Sequence, residues 1–420
     1  MESQHKPPRS RLSFRKVFLI AGIVSLLLLY PVLWLRVMTD PAQRTAADFL
    51  PFYAAGRIAL TQGLSMVYDW ESQRQAENDI LDETIRQILV SRGQPLNPQN
   101  SSPPIQASEV NPFPHPPFIV PLLMLLALLN YLPAFVVWSV LMSIIFLICA
   151  IMLVRLVPQI QGQDRWALFL ATVLFFPAFY SVLNGQDTAL LLLGASLWVY
   201  GLFQEHDSLS GIGLALTLIR PHMVVMLALP FMFKRRKVWW AFCAGAGVLV
   251  LISALLLGRI GMENYLRILV TSANGEGNKF FNENLMVNLI GLLQRTFPAI
   301  QSSSIRLVGW IGFAAALVYL CVVWAKSAGI KEKQVALAVL TTIFFVPHIH
   351  YHDLALLLIP IFGIMRIMLN KKILKTRDAV LLPLGVSILL FASFLLLPAL
   401  KYIVLYLLMI MILVATMIYL

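Results

Sequence analysis

Long apolar runs, separated by short basic or turn-rich gaps, recur from Val17 to Leu420. Residues 17–35, 134–154, 166–183, 187–204, 208–220, 222–233, 238–258, 306–325, 334–347, 353–368, 378–397 and 401–420 are the candidate membrane-spanning helices. A straight helix needs roughly 20 apolar residues to cross the hydrocarbon core, and several of these runs are shorter. Residues 208–220 and 222–233 read as two half-buried helices meeting near Pro221. Non-helical backbone at membrane depth is tolerated only where protein or a wet cavity satisfies it, so this pair predicts an internal cavity. Residues 117–131 read as a juxtamembrane or re-entrant helix, because a full crossing there would place the basic cluster Lys234–Lys237 on the outer side. The pattern predicts an all-α polytopic membrane protein with about 12 transmembrane helices.

Two gaps are long enough to hold structure. In the first, residues 36–116, Ala76, Ile80, Leu81, Ile88 and Leu89 recur at helical spacing with Glu77, Asp79, Arg86 and Gln87 between them. That periodicity predicts an amphipathic helix, lying either on the membrane and outer protein face or packed beneath the loop. A Pro/Asn/Gln/Ser-rich run from Gly93 to Pro117 follows as a connector or lid. The second, residues 259–305, contains the turn signal Asn274-Gly-Glu-Gly-Asn278. The domain organisation is a cytoplasmic tail, residues 1–16, and a single transmembrane domain, residues 17–420.

Composition confirms lipid as the solvent. The chain is 59% hydrophobic and 12% charged with a mean hydropathy of +0.80, whereas a soluble domain is nearer a quarter charged. The net charge of +12 would suit nucleic acid, but the basic residues gather in the short gaps between apolar runs. With the N-terminus inside, the inner segments carry 19 Lys and Arg against 6 Asp and Glu; the outer ones carry 13 against 14. That bias follows the positive-inside rule. Residues 17–35 are long enough to span and lack a convincing small-residue cleavage site, which makes them an uncleaved signal anchor. Cys149, Cys243 and Cys321 all fall in apolar runs, with neither disulfide nor metal-thiolate spacing.

Ionisable groups at membrane depth are expensive and mark function. Asp48, set in Ala47-Asp48-Phe49-Leu50-Pro51-Phe52-Tyr53, is a carboxylate among aromatics and suits a general base on a sugar hydroxyl. The competing reading is a helix N-cap. Asn184-Gly185-Gln186-Asp187 interrupts two apolar runs, as a capped turn or as a site where Asp187 orients a donor group. Arg220-Pro221-His222 lies between the half-length helices, and its guanidinium needs an anion, either a lipid phosphate or Asp187. Pro347-His348-Ile349-His350-Tyr351-His352-Asp353 holds three of the seven histidines. On a strand all three share a face; on a helix, only His348 and His352 do. A divalent metal is conceivable there, but no specific zinc pattern is present, and hydrogen bonding to sugar or phosphate is favoured. No cofactor motif appears, neither a Walker A loop nor a Rossmann glycine pattern.

Taken in order, Asp48-Phe49 with Phe52 to Ala55, Tyr68-Asp69, Pro116-Pro117-Phe118, Gly185-Gln186, Arg220-Pro221-His222 and Pro347-His348 through His352-Asp353 form a set. That set resembles glycosyltransferase family 87, the polyprenol-phosphate-mannose-dependent α-mannosyltransferase-like proteins of the C-superfamily fold. The family commonly has Lys-Pro-Gln where this chain has Arg220-Pro221-His222, and its paired histidines correspond to His352-Asp353. The resemblance implies a polyprenyl-phosphate sugar donor, a lipid or glycan acceptor and a site on the outer face of a bacterial inner membrane. It makes Asp48 the base, and Arg220, His222, His350, His352, Gln186 and Asp187 the donor-binding set. Tyr53, Tyr68, Asp69 and His115 are then acceptor or lid residues. The alternative class is a secondary transporter or flippase, which also uses broken helices; against it, no inverted repeat is visible and the long polar loop sits only at the front of the chain.

Overall fold

The computed structural model describes residues 14–45, 48–91, 111–274, 283–329, 332–396 and 398–418. The basic tail to residue 13, most of the Pro-rich run and the turn after Asn274 lie outside them. Among the described residues every regular element is helical. The helices that position the site are α1 (Phe14–Thr39), α2 (Phe49–Thr61), α3 (Trp70–Ser91), α4 (Val120–Ala127), α5 (Tyr131–Arg155), α6 (Gly162–Val173), α7 (Phe176–Leu183), α8 (Thr188–Phe203) and α9 (Asp207–Leu216). They continue as α10 (Pro221–Ala228), α11 (Arg236–Asn274), α12 (Leu289–Thr296), α13 (Ser302–Lys326), α14 (Glu332–Phe345), α15 (Leu358–Asn370), α16 (Leu381–Leu396) and α17 (Pro398–Ile418).

Six helices among the described residues are long and apolar enough to cross a membrane: Val17–Thr39, Tyr131–Arg155, Arg236–Ser272, Ser302–Lys326, Tyr351–Asn370 and Thr376–Leu395. The bent pair α6–α7 adds a seventh if it is one span. The remaining expected spans are shorter apolar helices, among them Thr188–Phe203, Asp207–Ile219 and Pro221–Lys234. Residues 117–127 also form a short apolar helix, below the length a straight crossing needs. The second outer loop differs from expectation: helix continues past residue 259 to Asn274, kinked at Gly258 (φ 61°) rather than ended there.

Burial sorts these helices. The 351–370 stretch is 89% buried and apolar on all sides from Leu354 to Met365, whereas the Arg236–Ser272 and Val17–Thr39 windows are 11% buried and present leucines and valines outward. A water-soluble protein could not carry that outer surface; lipid can.

Helix breaks are satisfied by side chains. At the 42° bend between α6 and α7, Ser387 Oγ accepts from Phe176 N (2.9 Å) and donates to Leu174 O (2.8 Å). The Tyr30 hydroxyl donates to that same carbonyl at 3.0 Å. Interior packing uses small residues: a methyl group on Gly213 would sit 2.3 Å from Trp198 N, so α8 and α9 touch backbone to backbone. This contact fixes the two helices whose ends supply Asp187 and, one short 3-10 turn later, Arg220.

Candidate active site

The site begins at two places where helix cannot continue. Gly185 has φ +68°, a left-handed turn after α7. Its carbonyl accepts from Trp138 Nε1 at 2.8 Å, which anchors the turn to α5. Asp187 follows at the N-cap position of α8 but makes no capping bond. The second break is the 3-10 turn Thr217–Ile219, after which Pro221 bars continuation and leaves Arg220 extended (φ −123°, ψ 82°).

These two breaks face each other. Arg220 Nη2 lies 2.7 Å from Asp187 Oδ1 and donates to Gln186 Oε1 at 3.2 Å, while its Nε lies 3.8 Å from Asp353 Oδ1. Asp187 is fully buried, and Arg220 and Asp353 nearly so. One guanidinium between two carboxylates is the arrangement that makes buried charge tolerable. Within the chain, Asp187 is the anion paired most closely with Arg220.

His115 completes the group, with Nδ1 2.9 Å from both Arg220 Nη1 and Asp187 Oδ2. Burial, the largest effect, holds the imidazole below its ordinary pKa; Asp187 raises it and Arg220 lowers it. The ring is therefore neutral at pH 7, and Nδ1 can accept from Arg220 or donate to Asp187, but not both.

The route by which His115 arrives is written in Asn111-Pro-Phe113-Pro-His115-Pro, where alternate prolines leave N–H groups only at 111, 113 and 115. Asn111 N donates to Glu77 Oε2 and Phe113 N to Gln73 Oε1, each at 3.1 Å. Gln73 and Glu77 are one helical turn apart on α3, about 6 Å along the axis. Two residues of extended proline-type chain advance about 6.2 Å. Helix and extended segment are thus in step. Tyr68 then donates to His115 O at 2.6 Å, and the imidazole packs against Phe52 and Phe113 (centroids 4.4 and 5.1 Å).

After α14 the chain runs extended through His350, with His348 exposed and Ile349 buried, the alternation of a strand. Val287 N donates to Ile349 O (3.0 Å) and Asn288 Nδ2 to Val346 O (2.7 Å). The imidazoles of His222, His348, His350 and His352 form a row, with successive centroids 6.4, 4.7 and 5.8 Å apart. His350 N donates to Asp353 Oδ2 at 3.2 Å, turning the chain into a seven-residue 3-10 run, Tyr351–Leu357. That is long for this helix type.

Asp48 precedes α2 at the N-cap position yet forms no capping hydrogen bond. It is half-buried, and its charge acts on both Arg220 and His350. Its neighbour Phe49 lies directly against Gly185. Asp48, Gln186, Asp187, Arg220, His222, His350, His352 and His115 therefore gather in one region. Tyr68 touches it only through His115. Tyr53 and Asp69 have other partners: the Tyr53 hydroxyl donates to Leu129 O (2.8 Å), and Asp69 Oδ2 accepts from Ser72 N (2.9 Å) to cap α3. Sequence reasoning missed Gln73, Glu77 and Asn288, whose signal was their apposition to Asn111, Phe113 and Val346, and that is not local. Among the described residues no group of three or more His, Cys, Asp or Glu is set to hold a metal ion.

Fold and site together define a helical membrane protein whose buried charges meet at the ends of broken helices. The chain belongs to glycosyltransferase family 87, whose family model matches residues 113–348, and it is accordingly a glycosyltransferase. The match covers His115, Asp187 and Arg220; Asp48 and His350 to Asp353 fall outside it. Comparisons with curated proteins and with solved structures give no match.

Proposed function

We propose that the protein transfers a hexose, mannose in the first instance, from a polyprenyl-phosphate donor to a lipid or glycan acceptor, with inversion. Asp48 takes the proton of the acceptor hydroxyl, and that oxygen attacks the anomeric carbon. The bond from that carbon to the phosphate oxygen breaks, and its electron pair leaves with the polyprenyl phosphate. Arg220, held in place by Asp187 and Asp353, turns its N–H groups toward the departing phosphate together with the N–H groups of His350 and His352. Fixed donors aimed at developing charge supply much of an enzyme's rate enhancement. His222 and Gln186 line the same donor side, and His115 borders the acceptor.

In this reading the short apolar helices pair to complete about twelve crossings, residues 117–131 stay juxtamembrane, and the site opens on the outer face, as the resemblance to the C-superfamily implies. The N-terminus is then cytoplasmic and the membrane a bacterial inner one, in keeping with the basic inner segments. The observation that carries the proposal is that Asp48, free of any capping bond, lies within electrostatic reach of Arg220 and His350. The deciding experiment incubates purified protein with a panel of polyprenyl-phosphate sugars plus acceptor lipids. Release of free polyprenyl phosphate with one sugar supports the proposal; no release across the panel overturns the donor class.

A further inference from the structure

Away from the charged cluster, α12, α13, α14 and α17 line a cavity of about 640 Å³ that opens outward where Ala315, Tyr319 and Ile410 are exposed. One end lies among Gly312, Phe345 and Tyr406, the other among Tyr319, Leu337 and Met417. The short link between α13 and α14 makes them antiparallel, and Gly312 lies against the Phe345 ring, which sets the first end. Nearly every lining atom is carbon, so hydrocarbon suits the space better than a sugar does. From Tyr406 to Met417 the helix rises about 16 Å. That matches one leaflet of a hydrocarbon core roughly 30 Å thick, the reach of a single acyl chain.

At the Tyr406 end stands a cation. Arg295 stacks over the Tyr402 ring (3.6 Å to the centroid), donates to the Tyr406 hydroxyl, and reaches Asn284 O and Met286 O at 2.6 and 2.8 Å. Among the described residues no carboxylate pairs with it, whereas nearby Arg306 is matched by Glu283 at 2.8 Å. The side chain is half-buried, and tyrosines at its level belong to the interface between hydrocarbon and headgroups. An arginine there recognises phosphate.

We propose that this cavity holds one acyl chain of an anionic phospholipid whose phosphate is met by Arg295. The occupant is distinct from the sugar donor, whose phosphate belongs at Arg220. Bound there, it braces the histidine row, since Tyr406 donates to Asn288 O (3.3 Å) and Asn288 holds Val346 O. The proposal stands whether or not the transferase reading does, because its readout is lipid retention.

The test reconstitutes the full chain in phosphatidylcholine nanodiscs containing phosphatidylglycerol, extracts it into detergent, and weighs the retained lipid by native mass spectrometry. One phosphatidylglycerol per chain is expected, enriched roughly fivefold over phosphatidylcholine, the worth of about one basic side chain near an anionic headgroup. Arg295→Gln should bring the two lipids to parity. Ala315→Trp, at an exposed lining position where folding is not at stake, should abolish retention. If Arg295→Gln fails to fold, competition between the two lipids on the native chain decides the headgroup claim. Equal retention of both lipids by the native chain, undiminished retention in Ala315→Trp, or a polyprenyl phosphate as the retained species would overturn the proposal.

Discussion

Arg220 and Asp187 stand 2.7 Å apart with Asp187 wholly buried, so each is the other's main reason for being tolerated there. Removing one partner of such a pair strands a charge, at a cost of about 3–5 kcal/mol. Asp187→Ala should therefore lower the unfolding midpoint in detergent sharply. Adding Arg220→Gln should restore part of that loss, because the unmatched cation is gone and Asp353, though it loses Arg220, keeps the hydrogen bond from His350 N. If the double variant is as unstable as the two single losses summed, the pairing is not what holds this region.

Asp48→Asn should cut the transfer rate by about 10²–10⁴, the usual worth of a positioned general base, with the unfolding midpoint unchanged. A capping aspartate would behave otherwise: Asp48→Asn would be silent in activity, and Asp48→Ala would cost about 1 kcal/mol of stability. The missing cap bond argues for the first pattern. Measuring rate and midpoint on both variants separates the two roles.

Helical membrane character and the candidate residues were legible because their signals are local. Apolar length marks the helices, and Gly185, Pro221 and the histidine run interrupt them where charge collects. The count of crossings was less legible, since α8, α9 and α10 are too short for length to tell a half-helix from a span. The fate of individual polar groups was legible only as alternatives, Asp187 or a phosphate for Arg220 and a base or a cap for Asp48. Nothing local tells that Arg220 spends its charge on Asp187, or that Asp69 caps α3 while Asp48 caps nothing. Such outcomes depend on which distant chain arrives alongside. The same holds for the clamp of Gln73 and Glu77 on residues 111–113, written half in a helix and half in a proline alternation far along the chain.

Gly185→Ala should impair transfer through Asp48 without touching it chemically. An alanine there would adopt φ +68° under strain, and its methyl would lie 2.5 Å from the Phe49 Cβ, next to Asp48. Backbone strain of this kind costs about 1–3 kcal/mol, and relief requires the start of α2 to shift. The expected result is a lower unfolding midpoint together with a fall in kcat that exceeds what the lost folded fraction explains. A kcat that merely tracks the folded fraction would mean the turn does not position Asp48.

Glu77 should make the protein less stable as the solution turns alkaline. Burial, the dominant cause, pushes its carboxyl from 4.5 up to about 8, only partly offset by the hydrogen bond from Asn111 N. The second carboxyl oxygen, Oε1, finds no partner among the described residues. Unfolded, Glu77 loses its proton near 4.5; folded, it keeps it until about 8. Between those values the unfolded state binds fewer protons, so stability falls with rising pH. The contribution is whole below about 4.5 and gone once pH passes about 8, a span on the order of 5 kcal/mol. Glu77→Gln keeps an acceptor for Asn111 N and has no proton to lose, so its unfolding midpoint should stay flat from pH 5 to 9 while that of the native chain declines. Parallel curves for the two proteins would show that the clamp titrates elsewhere.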